Sequence, residues 1–164
     1  MRPARPILPA LMLAPTLAVT LALTLAIAFA APATAQQVQD CDARASARNL
    51  AEPWDASTRT FASGAIRLAM IDMIEPAGAP FYLLVLSPPY DEIGDRQCRL
   101  IEGPGNMGFY SMDLETAEAS YDPALGLTVR VPIRLYGQGD IPRETMLDVL
   151  INQATGDISA RVAG

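Results

Sequence analysis

The sequence predicts a mainly β protein: an antiparallel meander, curled as a sandwich or partial barrel, with a short N-terminal helix and one disulfide. Three observations lead to this fold class. Short apolar runs recur after Thr60 and are separated by Gly and Pro. Residues 127–136 alternate between apolar and polar side chains, the period of a half-buried strand. The chain has two cysteines, Cys41 and Cys98, and an even number favours a disulfide.

Residues 1–35 have the parts of a secretory signal peptide in their usual order. A basic start precedes an apolar stretch that ends at about Ala31, and an Ala-Thr-Ala sequence ending at Ala35 provides a small-x-small cleavage site. We expect cleavage after Ala35, which leaves a single globular, β-rich domain over residues 36–164, periplasmic or secreted. The alternative is a retained membrane anchor, because the apolar stretch is long enough to cross a bilayer.

The composition excludes many functions. The chain has no histidine, and all 12 of its basic residues are arginines. It therefore lacks the imidazole of Ser-His-Asp catalysis and of most zinc sites, and the lysine of Schiff-base chemistry. Arginine without lysine is typical of high-GC bacterial coding. We expect no cofactor and no metal, and a catalytic mechanism would have to use carboxylates, tyrosine or cysteine.

The charge of the chain limits its partners. Residues 36–164 carry ten arginines and 18 acids, a net charge of −8. A domain this acidic is not expected to bind nucleic acid or anionic membranes through bulk charge.

The cysteine pair predicts a brace rather than a redox site. In an oxidising compartment such a pair usually forms a disulfide, and Cys41 and Cys98 are too distant in sequence for a CxxC motif. The bond would tie the N-terminal helix to the strands, and it requires Cα atoms within about 7 Å.

The first elements follow from local propensity. Asp40 to Glu52 is rich in Ala and Arg after a capping aspartate, which predicts a helix that ends at Pro53. Trp54, the only tryptophan, is expected to pack in the core.

Three strands are predicted in the middle of the chain. Gly64 to Ile74 is densely apolar, and Phe81 to Leu86 is apolar at every position, as expected of a strand buried on both faces. Residues 88–89 (Pro-Pro) should end that strand. Arg96 to Ile101 should form a further strand carrying Cys98.

A hairpin is predicted between Phe109–Tyr121 and Leu127–Tyr136. The odd-numbered side chains of the second strand must face the core together, and Pro132 on its other face suggests an edge or a bulge. Met112 should therefore pair with Leu135, or with a residue two positions away, since a one-residue slip would expose the core face. Arg134 would then lie opposite an acid, Asp113 or Glu115.

The C-terminal region is ambiguous, because residues 142–154 fit a helix or a strand. The β-branched residues and the turn at residues 154–156 favour two strands, Met146 to Asn152 and Asp157 to Val162. About seven short strands result, spaced as in an antiparallel β protein.

Two loops contain motif-like patterns. Gly103, Gly105 and Gly108 form a GxGxxG, but an alternating, strand-like segment follows, so we interpret them as turn glycines. The acids of residues 91–95 do not match the calcium-loop pattern, so a solvated loop is favoured over a Ca²⁺ site.

Two sets of side chains are weak candidates for a site. Asp113 and Glu115 should share a strand face, and paired carboxylates can hydrolyse glycosides, although charge pairs with the arginines of the next strand explain the pattern better. The tyrosines are expected to pack between strands rather than line a ligand groove with Trp54. They are Tyr82, Tyr90, Tyr110, Tyr121 and Tyr136.

The function predicted from sequence is a non-enzymatic, exported binding or accessory domain for an envelope protein or a small ligand. The alternatives are a small carboxylate-dependent hydrolase and a secreted inhibitor that displays residues 87–90 (Ser-Pro-Pro-Tyr) as a rigid loop. No catalytic, cofactor or metal residues are predicted, and Cys41 and Cys98 are the assigned pair. The sequence does not predict an oligomeric state.

Overall fold

The computed structural model describes residues 35–74, 79–136 and 141–163, so the predicted signal peptide, apart from Ala35, lies outside the described residues. The described residues form ten strands and one α-helical turn, α1 (Trp54–Ser57). The strands are β1 (Gln37–Asp40), β2 (Thr58–Phe61), β3 (Ile66–Asp72), β4 (Phe81–Tyr90), β5 (Arg96–Glu102), β6 (Ser111–Met112), β7 (Glu118–Asp122), β8 (Gly126–Leu135), β9 (Arg143–Ile151) and β10 (Ile158–Val162).

The strands build two antiparallel sheets, which pack face to face as a sandwich. Sheet I has the order β1-β5-β4-β3-β2, and sheet II has the order β10-β9-β8, with β6 and β7 both paired to β8. The inner faces share one apolar core, in which Leu68 and Val85 of sheet I and Val129 and Leu147 of sheet II are completely buried. The predicted fold class is therefore confirmed, and the sandwich is its form.

Strand β4 lies in the middle of sheet I and is buried on both faces, as its sequence predicts. Leu83 and Val85 lie in the main core, whereas Tyr82 and Leu84 lie in a second apolar cluster on the outer face of sheet I. The alternation of β8 is confirmed as well. Its core-facing side chains are Leu127, Val129, Val131, Ile133 and Leu135.

The N-terminal segment joins the two sheets along one side of the sandwich. Ala35 pairs with Arg161 of β10, and the backbone N–H of Gln36 donates to the carbonyl of Ala160 at 2.9 Å. The chain then crosses to sheet I, where β1 pairs with β5. The exposed sheet edges are therefore β2 in sheet I and β6 with β7 in sheet II.

The chain after β1 covers the outer face of sheet I. Cys41, Ala45 and Leu50 pack on the second apolar cluster, and the disulfide between Cys41 and Cys98 fastens this segment to β5. The Cα atoms of the two cysteines are 5.4 Å apart, so the predicted bond is confirmed. One face of the sandwich is thus covered by the protein's own chain.

The helix predicted over Asp40 to Glu52 is wrong in extent. Asp40 ends strand β1, a single 3-10 turn spans Ala47–Asn49, and α1 follows the predicted helix. The intrinsic helix propensity of Ala and Arg contributes only a little to stability compared with tertiary packing. Cys41, Ala45 and Leu50 instead pack on the outer face of sheet I along an irregular path, so tertiary packing overrides the propensity.

Two predictions about proline need correction. Strand β4 does not end at residues 88–89 but continues to Tyr90 across a register shift, which absorbs the missing proline donors. Pro132 does not lie in an edge strand, because β8 is central in sheet II. Its carbonyl accepts from the N–H of Asp113, and the neighbouring strand leaves the ladder at that point for a turn. The backbone N–H that Pro132 lacks therefore falls where the ladder between β8 and its neighbouring strand is interrupted.

The hairpin register is confirmed at its start. Met112 pairs with Ile133, two positions from Leu135, as the alternation allows. The ladder is then interrupted at residues 113–117 and resumes with Glu118 opposite Arg130 in a different register. The C-terminal region forms β9 and β10, as favoured from the sequence.

Candidate functional site

Sheet II keeps an open outer face, which is the candidate site. We define the open face as the side chains that β8 and β9 direct away from the core. They are Thr128, Arg130, Pro132 and Arg134 on β8 and Glu144, Met146, Asp148 and Leu150 on β9. These strands make their main contacts within their own sheet, and the described residues form no apolar cluster over this face. This distinguishes it from the covered face of sheet I.

The register places the open-face side chains in rows across the sheet. Pro132 lies beside Met146, and both are half-buried. Arg134 lies beside Glu144 in the row on one side, and Arg130 lies beside Asp148 in the row on the other. An apolar strip is therefore flanked by two charged rows.

A shallow groove of about 490 Å³ lies over this strip. Its polar walls come from three strands and the turn after β6. Its lining comprises Ser111, Met112, Asp113, Pro132, Ile133, Arg134, Glu144, Thr145 and Met146.

The charged rows are held by ion pairs. Nη2 of Arg134 is 2.6 Å from Oε1 of Glu144, and both side chains are at least half exposed. Asp148 is buried, and Oδ1 of its carboxylate accepts from Nε of Arg130 at 2.8 Å, while Arg161 of β10 approaches the other oxygen at 3.5 Å. The hydrogen bond from Arg130 lowers the pKa of Asp148, so the carboxylate is charged at neutral pH.

An aromatic pair lies beyond Arg134. Tyr136 is two residues further along the chain, and its ring meets that of Tyr110 edge to face, with centroids 5.6 Å apart. The N–H of Tyr110 donates to the carbonyl of Arg134, and both tyrosines are partly exposed. The pair therefore adds an accessible aromatic surface next to the groove-lining arginine.

The predicted partners of the β8 arginines are wrong. Arg134 lies opposite Ser111 rather than an acid, and both arginines pair with acids of β9 instead. Asp113 lies in the turn after β6, where it accepts bonds from the N–H and hydroxyl of Thr116; these bonds lower its pKa. The sequence favours a strand over Met146 to Asn152 but does not predict its pairing with β8, so the acids of β9 are not expected as partners.

The motif-like loops make local turn contacts. Asp91 turns the chain between β4 and β5 by accepting bonds from the N–H groups of Ile93 and Asp95. No group of three or more potential metal ligands occurs in the part of the chain that the structure describes. Gly108 packs against the carbonyls of Ala79 and Phe81 where a Cβ would overlap, and a β-bridge rather than a helix follows it.

The remaining aromatic and loop candidates do not converge. Trp54 is 64% exposed at the start of α1, so the expectation of a core tryptophan is wrong. Tyr82 is buried beneath the guanidinium of Arg44, 4.7 Å from its ring centroid. Residues 87–90, the proposed inhibitor loop, form the end of β4, and Ser87 and Tyr90 pair with β5, so the segment is part of a strand rather than a projecting loop.

A second charged cluster holds the covering segment, residues 41–50, to sheet I. Glu102 is buried and accepts bonds from Arg44 at 2.5 Å and from Gln39. Arg44 also binds Asp42, and these bonds, first to Asp42 and then to Glu102, raise the pKa of the guanidinium. Because Glu102 is buried and paired with Arg44, the cluster is best explained as holding residues 41–50 to sheet I.

Comparison with protein-family models, curated proteins and solved structures found no match to this chain. No helix of the described residues is long and apolar enough to span a membrane.

Proposed function

We propose that the protein is a non-enzymatic, exported accessory module that binds a polypeptide of the cell envelope on the open face of sheet II. The observation that carries this proposal is the groove over Pro132 and Met146, left open on a sandwich whose other face is covered by its own N-terminal segment. The disulfide supports export, because such bonds persist in oxidising compartments.

The groove has the composition of a protein interface. Tyrosine, methionine and arginine are enriched in such interfaces, and here Tyr136, Met146 and Arg134 lie on or beside one surface. The Arg134–Glu144 ion pair that lines the groove offers both charges to a partner. A small-molecule site usually encloses most of its ligand, whereas the floor of this groove is one face of a sheet. A polypeptide therefore fits better than a small ligand.

The hydrolase alternative is less well supported. The groove contains two carboxyl groups, Asp113 and Glu144. Acid catalysis on a glycoside needs one carboxyl group with a raised pKa. The bonds from Thr116 lower the pKa of Asp113, and Glu144 is exposed and paired with Arg134. The lowered pKa keeps Asp113 in its carboxylate form, which is the opposite of what an acid catalyst needs.

Site-specific crosslinking in cells tests the proposal. A photoreactive phenylalanine analogue replaces Met146 in the groove, and a matched variant carries it at Thr60, an exposed position on β2. We expect a discrete protein adduct from position 146 that is absent from position 60 and is reduced by Arg134→Glu. No adduct at 146, or the same adducts at both positions, would contradict the proposal.

A further inference from the structure

Strand β7 forms an exposed edge of sheet II. All five of its residues are exposed, and β8 is its only strand partner among the described residues. Exposed edges of this kind are the places where a sheet can accept a further strand.

The register shows which backbone groups of β7 point outward. The N–H of Asp113 donates to the carbonyl of Pro132, so the even-numbered residues of β8 direct their backbone groups towards β6 and β7. Glu118 pairs with Arg130, so the backbone N–H and C=O of Glu118 point towards β8. Successive residues of an antiparallel strand point to opposite sides. The N–H and C=O groups of Ala119 and Tyr121 are therefore directed to the open side.

The side chains of β7 present a different chemistry on each face. Glu118 and Asp122 lie on the open face of sheet II, in the same orientation as Arg130. Ala119 and Tyr121 lie on the inner face, yet both are exposed, Tyr121 at 65%. An added strand would thus meet acids on one face and an apolar surface on the other.

Sheet I ends before it reaches the inner face of β7. Its edge strand is β2, where Arg59 donates to the carbonyls of Leu114 and Glu115 in the turn that precedes β7. These bonds close the sandwich beside the turn, and the exposed inner side chains of β7 lie beyond them.

We infer that the β7 edge binds an extended polypeptide strand in which apolar and basic residues alternate. The apolar residues would pack beside Tyr121, and the basic residues would face Glu118 and Asp122. β8 already shows this pattern on the other side of β7: Val129 points inward and Arg130 lies opposite Glu118. The site is distinct from the groove, and a strand bound there leaves crosslinking at Met146 unchanged.

A second copy of the chain is a poorer occupant of this edge. Two β7 strands paired antiparallel about Ser120 would place Glu118 opposite Asp122, and like charges directly opposite are destabilising. The acids that disfavour self-pairing are the same groups that attract a basic strand.

Peptide binding to the purified protein tests the inference. The probes are two fluorescent octapeptides, one of alternating Val and Arg and one of alternating Val and Glu, followed by anisotropy. We expect the Val-Arg peptide to bind and the Val-Glu peptide not to bind. Ala119→Pro removes an outward N–H without touching the β8 ladder and should weaken binding about tenfold, whereas Ala119→Val keeps the N–H and should bind normally.

A second pair of changes keeps the test valid if proline disturbs the fold. Glu118→Gln with Asp122→Asn should weaken binding about tenfold at low salt and less at high salt, since screening already reduces the attraction there. The inference is overturned if both peptides bind equally, if neither binds, or if the proline variant folds and binds like the wild type. It is also overturned if sedimentation shows that the free protein is a dimer that Ala119→Pro dissociates.

Discussion

Replacing Arg44 by methionine tests how the covering segment is held to sheet I. The carboxyl of Glu102 is 5% exposed and accepts a bond of 2.5 Å from Nη1 of Arg44. Removing one partner of a buried ion pair leaves a buried charge and costs about 3–5 kcal/mol. The amide of Gln39 still donates to Glu102, so we expect the free energy of unfolding to fall by about 3 kcal/mol, near the lower end of that range.

The other contacts of Arg44 change this value only slightly. Its pair with Asp42 is more exposed and contributes at most about 1 kcal/mol. The contact of its guanidinium with Tyr82 adds roughly 0.5–1 kcal/mol. Methionine retains most of the apolar stem, so little packing is lost.

Urea unfolding at neutral pH measures the effect in three variants: Arg44→Met, Glu102→Gln and the double variant. Glu102→Gln should cost about 1 kcal/mol, because a neutral amide still accepts from Gln39. The double variant leaves no charge buried alone and should be more stable than Arg44→Met. If Arg44→Met lowers the free energy of unfolding by less than about 1 kcal/mol, or if the two single losses simply add in the double variant, then Arg44 does not neutralise the buried charge of Glu102.

Three further predictions concern the disulfide, an ion pair and the core. Cys98→Ser should lower the free energy of unfolding by about 2–5 kcal/mol, and an unchanged urea midpoint would contradict this. The bond from Arg130 holds the pKa of Asp148 below 3.8, so the charged form stabilises the fold above that pH and the contribution is lost as pH falls through the lowered pKa. Asp148→Asn should therefore destabilise at neutral pH and progressively less in acid, as measured by melts across that range. Ile133→Asp should unfold the domain while Arg134→Ala costs only about 0.2–1 kcal/mol; melts in the reverse order would show that the faces of β8 are wrongly assigned.

The strands that sequence predicts well are those whose local pattern agrees with their environment. β8 alternates because one of its faces is buried and the other is open. Residues 81–86 of β4 are apolar at every position because both faces of this part of the strand are covered. In these strands the polarity of each residue matches its own burial, so the local sequence pattern is enough to predict the strand. The pairing of Met112 follows from the same argument.

The parts that sequence misses depend on distant partners. The segment after Asp40 is helical by propensity, but it folds as turns and one 3-10 turn that pack on the outer face of sheet I. The turn at residues 113–117 resets the hairpin register, and no local signal in the alternation shows that. Trp54 is exposed although tryptophan usually packs.

The open-face groove could not be found by spacing alone. Its lining comes from three strands, β6, β8 and β9, and its ion pair joins β8 to β9, a region for which the sequence left helix and strand both open. Once residues 143–151 are known to form a strand that pairs antiparallel with β8, the register places Glu144 directly opposite Arg134. To find the groove from the sequence, one would need to know which strands are neighbours in sheet II; the chemistry of the lining residues alone does not show it.

Oxidation of Met146 tests the central claim, that the open face of sheet II is covered by a partner in the cell. Brief peroxide treatment converts accessible methionine to its sulfoxide, which peptide mass spectrometry quantifies. Met107, which is 49% exposed in the turn before β6, is the internal control. We expect the ratio of oxidised Met146 to oxidised Met107 to be lower in intact cells than in the purified protein. An equal ratio in the two samples would contradict it.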